Sequence, residues 1–202
     1  RYLALMASEI LRKNKSRKIV YDIKCSNQLG QVIKENNGTP IMTKTGHSYI
    51  KSEISKSNAI LGGEMSGHIF YNDNWYGFDD GIFAALKLLE ILSSKESTTH
   101  EVFNKFTQLF NTPEIKIAVE DEEKFEIVEQ LKVKLKPEGY DSILIDGLRL
   151  ENKDCWGLVR ASNTTPSLIL RFEANSEKKL MEIQELFQKT LLEISTNLKF
   201  LN

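Results

Sequence analysis

Residues 19–71 read IVYDIKCSNQLGQVIKENNGTPIMTKTGHSYIKSEISKSNAILGGEMSGHIFY, and the order of apolar runs and helical stretches within them decides the fold. Ile19–Ile23 is a short apolar run of the kind a buried strand makes; Pro40–Thr43 and Ala59–Gly62 repeat it. Between these runs, residues 26–36 predict a helix that stops at Asn37-Gly38, and Ser48–Ser57 predicts another. Strands alternating with helices predict an α/β layer with parallel pairing. Upstream, Tyr2, Leu3, Met6, Ile10 and Leu11 recur at helical spacing, and the basic run from Arg12 to Lys18 closes that helix. Downstream, His68–Tyr71 and Trp75-Tyr76 predict a hairpin turned at Asn72–Asn74. Asp79 and Asp80 stand where a helix cap belongs, ahead of an apolar stripe of Ile82, Phe83, Leu86, Leu89 and Leu92.

Ser93–Thr99 is polar and predicts a linker, bridged by a short helix over Glu101–Phe110. The pattern then changes. Ile115, Ile117 and Val119 alternate as a half-buried strand, and Glu122–Leu135 predicts an amphipathic helix. Ile143–Leu150 reads as a hairpin with Asp146-Gly147 at its turn. The strands Trp156–Arg160 and Ser167–Phe172 flank the loop Ala161–Pro166, and Ser176 caps a last helix to about Leu192. The expected fold class is α/β plus α+β. A layered α/β/α domain with a mixed sheet covers residues 1–105, and a smaller α+β domain, its antiparallel sheet packed by two helices, covers 106–202.

Composition narrows the function. The 202 residues carry 27 Lys and Arg against 28 Asp and Glu, a balance without the basic excess that nucleic-acid or anionic-membrane binding needs. The most apolar long window, Ile82–Leu92, is too short to span a bilayer, and no signal-peptide pattern opens the chain. Cys25 and Cys155 form no disulfide framework or CxxC pair and suit a reducing cytoplasm. The chain opens on Arg1, already inside a helical pattern, which predicts a fragment of a longer protein.

Two segments concentrate polar chemistry. In Gly62-Gly63-Glu64-Met65-Ser66-Gly67-His68, glycines allow close ligand approach while a carboxylate, a hydroxyl and an imidazole project at alternate positions. That mixture suits a polyol, although a plain glycine-rich turn explains the same residues. In Arg160-Ala161-Ser162-Asn163-Thr164-Thr165-Pro166, an arginine fork and several hydroxyls suit an anion such as phosphate; turns are also built from these residue types. Lys24 ends the first strand, where ligand groups or merely solvated lysines occur. His47 opens a helix, where anions or local packing are equal readings. Asp79 and Asp80 read as ligands or as caps. No His/Asp/Glu spacing resembles a metal ligand set, so no metal site is expected in this chain.

Five blocks in one order resemble the α-D-phosphohexomutases, specifically the bacterial phosphomannomutase/phosphoglucomutase branch, across essentially the whole chain. They are Asp22–Cys25, Lys44–Ser48, Gly63–His68, Gly77–Gly81 and Arg160–Pro166. The resemblance implies the third and fourth domains of a four-domain enzyme, in which phosphate moves reversibly between O1 and O6 of a hexose through a bisphosphorylated sugar. It implies that a phosphoserine and a Mg2+ held by aspartates lie in the two domains that this chain does not contain, so that this chain alone is expected to be inactive. By the same resemblance, Glu64 and Ser66 grip sugar hydroxyls, and Lys24 and His47 help bind the ligand. Arg160, Ser162, Asn163 and Thr164 hold the phosphate that is not reacting. His68 hydrogen-bonds or moves a proton at the reacting hydroxyl, and Asp79 supports the sugar loop. The partners implied are a hexose phosphate, its bisphosphate and the missing domains, with neither nucleic acid nor membrane. Met65 leans toward mannose and glucose phosphates; a phosphoglucosamine mutase is the nearest alternative, and a non-catalytic phosphosugar-binding module is the alternative from another class.

Overall fold

The computed structural model describes residues 1–200. They divide into two compact units, Arg1–Gln108 and a second that begins at Leu109. In the first unit the elements run α1 (Tyr2–Lys13), β1 (Lys18–Asp22), α2 (Asn27–Glu35), β2 (Thr39–Thr43), α3 (His47–Ser57), β3 (Leu61–Gly63), β4 (Ile69–Tyr71), α4 (Gly81–Ser93) and α5 (Thr99–Asn104). The four strands form a mixed sheet in the order β2-β1-β3-β4. β1 pairs in parallel with β2 and β3, and β3 pairs antiparallel with β4.

The strands are apolar on both faces because helices cover both. Ile19 and Tyr21 face a cluster that includes Leu3, Met6 and Leu11 of α1 and Leu29 and Ile33 of α2. Val20, between them, faces Ile50 and Ile54 of α3. Gly62 is where α3 comes closest to the sheet: a Cβ there would stand 2.6 Å from Ile54 Cδ1 and 2.9 Å from Ile50 Cγ2. The sequence suggested that this glycine admits a ligand. In the fold it admits a helix.

Two further expectations are corrected. Trp75-Tyr76 does not pair with His68–Tyr71. The Tyr71 carbonyl instead accepts from Gly77 N at 2.7 Å, and an isolated bridge joins Phe70 of β4 to Asp79. Trp75 stacks on Phe83 with ring centroids 4.1 Å apart, burying its apolar surface on α4 rather than in a strand. The Ser93–Thr99 segment is not a loose linker. Ser93 closes α4, Thr98 and Glu101 form a capping box on α5, and Lys95 pairs with Glu9 of α1. The helix expected to reach Phe110 ends at Asn104.

That last ion pair carries a pH prediction. Burial by itself raises the Glu9 carboxyl, but Lys95 and Arg12 more than offset this and hold it below the usual carboxylate range. A group lowered on folding stabilises the fold above its unfolded pKa and loses that contribution as pH falls through the lowered one. NMR titration is expected to show Glu9 protonating later on acidification than a free glutamate, and Lys95→Met is expected to move it back up. An unchanged Glu9 titration in Lys95→Met would show that the pair does not form in solution.

The second unit contains β5 (Phe110–Asn111), β6 (Ile115–Ala118), α6 (Glu123–Lys134), β7 (Asp141–Ile143), β8 (Leu148–Glu151), β9 (Cys155–Ala161), β10 (Ser167–Ala174) and α7 (Glu177–Ile194). These strands form a six-stranded antiparallel sheet in the order β5-β10-β9-β8-β7, with β6 also on β10. Alternate residues Leu148 and Leu150, Cys155 and Val159, and Leu168, Leu170 and Phe172 bury against Leu131 of α6 and Phe187 and Leu191 of α7. Ser176 caps α7, accepting from Lys179 N. On the opposite face Arg149 is fully buried, its guanidinium 3.9 Å from the Trp156 ring centroid, and Trp156 Nε1 donates to Glu173 Oε1 at 2.8 Å. The Asp-Gly turn forms, but Leu144 and Ile145 lie in its loop, because the last β7 pair is Ile143 with Arg149.

Candidate functional site

In the first unit, β1, β2 and β3 run parallel, so their carboxyl ends open on one edge, where α/β sheets bind ligands. Three segments meet there. Asp22 ends β1 and Lys24 follows it, 0% and 7% exposed; after β2 come Thr45, Gly46 and His47; after β3 comes the Glu64–His68 turn. The turn is closed by Glu64 N donating to His68 O at 2.9 Å and Gly67 N donating to Glu64 O at 3.0 Å.

Asp22 joins the segments. Its Oδ2 accepts from Thr45 Oγ1 at 3.0 Å, and its Oδ1 accepts from Met65 N at 3.0 Å and from the Cys25 thiol at 3.1 Å. Glu64, 6% exposed, is held from two sides: Oε1 accepts from Gly46 N at 3.1 Å and Oε2 from Ser66 Oγ at 3.2 Å. Asp79 Oδ2 lies 2.7 Å from His68 Nδ1 and 3.7 Å from His47 Nε2, and the two imidazoles meet edge to face at 4.1 Å. Asp80, its neighbour, caps α4 by accepting from Phe83 N at 2.9 Å.

Lys24, His47, Glu64, Ser66 and His68 are thus brought to one sheet edge. Asp22 was the residue that sequence reasoning passed over as a site element. An acidic residue ending an apolar strand was the available signal, but its three partners lie up to 43 positions away. Sequence spacing showed no metal-ligand set, but the fold gathers three ligand-capable side chains. One ligand atom each from His47, Glu64 and His68 all lie within 4.8 Å of one another. Positions 47, 64 and 68 have no ligand-motif spacing; the fold brings the start of α3 against the turn between β3 and β4, with Gly46 N donating to Glu64 Oε1. Two imidazoles and one carboxylate do not fit Mg2+, which takes oxygen donors in an octahedron.

In the second unit the polar loop lies between β9 and β10. Arg160, 5% exposed, donates through Nε to Asp146 Oδ2 at 2.8 Å. Gly147 makes that pairing possible. Its φ is +87°, and a Cβ there would stand 2.2 Å from Val159 O and 2.7 Å from Arg160 Cα, so the Asp-Gly turn lies directly on the β9 backbone. Ser162 Oγ accepts from Thr165 N at 3.1 Å and Thr164 N at 3.3 Å, and takes a hydrogen bond from Thr165 Oγ1 at 2.8 Å. Ser162 therefore shapes the loop, while Asn163 and Thr164 stand exposed on it. Lys124, 4% exposed, steadies the loop's far end by donating to Thr165 O at 3.3 Å.

Known proteins match nearly the whole chain. The phosphoglucomutase/phosphomannomutase α/β/α domain III matches residues 1–110, and the C-terminal domain of the same family matches 114–189. A phosphomannomutase/phosphoglucomutase of Pseudomonas syringae pv. tomato is 46% identical over 198 residues, covering 98% of this chain and 43% of that protein. A phosphoglucomutase of Neisseria meningitidis serogroup A is 46% identical over 200 residues, with the same two coverages. The crystal structure of a phosphoglucomutase/phosphomannomutase family protein from Burkholderia thailandensis superposes with a TM-score of 0.90 at 40% identity, covering 98% of this chain and 43% of that one. The chain thus spans less than half the length of these relatives. With both of its domains matched in order, the chain belongs to the phosphoglucomutase/phosphomannomutase family.

Proposed function

We propose that this chain provides the sugar-hydroxyl and distal-phosphate binding of a phosphohexomutase that moves phosphate between O1 and O6 of mannose and glucose phosphates. The observation that carries the reading is the buried Glu64 carboxylate, held by Gly46 N and Ser66 Oγ at the carboxyl ends of three parallel strands. A carboxylate offers about four lone-pair positions, so two fixed donors leave room for two sugar hydroxyls. Adjacent hydroxyls such as O3 and O4 stay nearly in place when the two ends of the sugar exchange, so the same carboxylate serves both half-reactions.

In this reading Lys24 and His47 add donors for the ligand, and His68, hydrogen-bonded to Asp79, serves the reacting hydroxyl. In the second unit the Arg160 fork, its Nε paired with Asp146, presents its outer edge to the phosphate that is not reacting, with Ser162, Asn163 and Thr164 around it. Energy from that remote contact orients the reacting end. The phosphoserine and the Mg2+ that neutralises the moving phosphoryl group belong, in this reading, to the part of the relatives outside this chain, which on its own binds without turnover. Among the described residues no helix is long and apolar enough to cross a membrane. The buried thiols Cys25 and Cys155 suit a cytoplasmic setting.

Titrating the 202-residue chain with glucose 1-phosphate is expected to move amide NMR signals at Gly46, Glu64–His68 and Arg160–Thr165. Silence at both segments would overturn the reading. In the enzyme joined to its preceding domains, Arg160→Ala should weaken phosphosugar binding by roughly ten- to 150-fold, the loss of one charge-assisted hydrogen bond worth ~1.5–3 kcal/mol. Arg160→Lys keeps the charge without the fork and should fall between. Unchanged KM in Arg160→Ala, with unfolding measured alongside because the Arg160–Asp146 pair is removed, would reduce the loop to a turn.

A further inference from the structure

The geometry points to a binding site for a divalent transition-metal ion of the Zn2+ type, formed by His47, Glu64 and His68 with Asp79 behind it. The three ligand-capable atoms lie within 4.8 Å of one another. Tetrahedral zinc with bonds of about 2.0–2.1 Å needs ligand atoms about 3.4 Å apart, a closure that rotation of the exposed His47 side chain supplies while Asp79 keeps His68 in place. Two imidazoles and one carboxylate are a donor set that zinc accepts, leaving a fourth position for water.

The surroundings favour the ion in two further ways. A carboxylate only accepts, so in the neutral His68 imidazole the 2.7 Å contact with Asp79 Oδ2 assigns the proton to Nδ1 and makes Nε2 the nitrogen that can ligate. This is the outer-shell arrangement that orients metal-ligating histidines. Glu64 is already held rigid by Gly46 N and Ser66 Oγ, so little order remains to be imposed on it when an ion binds. The site stands whether or not Glu64 also holds a sugar; if it does, ion and sugar hydroxyl exclude each other.

Calorimetric titration of the 202-residue chain with Zn2+ is expected to show one site per chain that millimolar Mg2+ does not displace. His47→Ala and His68→Ala, each checked for folding by circular dichroism, should weaken it at least tenfold. Asp79→Ala should weaken it about 10- to 100-fold, as loss of an outer-shell partner does. Co2+ in place of Zn2+ is expected to give tetrahedral visible bands with no thiolate charge-transfer absorption. Wild-type affinity in both histidine variants would overturn the assignment, as would a thiolate band tracing the ion to Cys25 or Cys155.

Discussion

Asp22→Ala is expected to lower the stability of the first unit by ~2–5 kcal/mol, read as a drop in urea midpoint. Asp22 is fully buried, and three donors from three chain segments end on its carboxylate: Thr45 Oγ1, Met65 N and the Cys25 thiol. Leaving a buried donor unsatisfied costs about 1–3 kcal/mol, and the Thr45 hydroxyl, only half-buried, can recover part of this from water. The expected total is therefore smaller than three full penalties. Asp22→Asn keeps the volume but turns an N–H toward one of those donors, so it should fall between wild type and alanine. A second readout separates scaffold from site. Met65 is the residue after Glu64, so releasing its N–H should loosen the turn that carries Glu64 and weaken glucose 1-phosphate binding even where the protein remains folded. An Asp22→Ala midpoint equal to wild type would show that the three segments hold together without this carboxylate.

Gly147→Ala is expected to cost ~2–5 kcal/mol in the second unit and to disturb Arg160 without touching its side chain. Two penalties combine. At φ +87° an L-residue pays about 1–2 kcal/mol for left-handed backbone. The new Cβ would also meet Val159 O at 2.2 Å, and overpacking typically costs about 1–3 kcal/mol. The obstruction is backbone of β9, which is hydrogen-bonded to β8 and β10 on its two sides and cannot move aside cheaply. The turn must lift instead, carrying Asp146 away from Arg160 Nε. Thermal unfolding together with the Arg160 Nε–H NMR signal tests this. Wild-type stability with an unmoved signal would mean that the turn tolerates a methyl group and that Asp146 is held by other means.

Much of the architecture was legible from local pattern. Ile19–Ile23, Pro40–Thr43 and Ala59–Gly62 are apolar runs separated by capped helical stretches, and they became three parallel strands because only a sheet covered on both faces can bury such runs. Ser176 and Asp80 cap helices because a side-chain oxygen reaches N–H groups two or three residues on, an interaction confined to adjacent sequence. Trp75-Tyr76 failed as a strand for the opposite reason. Its apolar pattern was satisfied by stacking on Phe83, a partner that no alternation rule identifies.

The amino-acid sequence alone determined the strand–helix order, the two-part organisation and the residue types that gather at each polar loop. These depend on interactions within a few positions of each residue, where spacing is geometry. Only the tertiary structure decided that Asp22 binds the segments together, that Asp79 orients His68, that Asp146 pairs with Arg160, and that Gly62 yields to α3. Each of those contacts depends on strand register or on helix-to-sheet distance. The β1–β3 register that sets Tyr21 opposite Gly63 carries Asp22 to within reach of Met65, and a slip of one residue would turn that carboxylate to the other face.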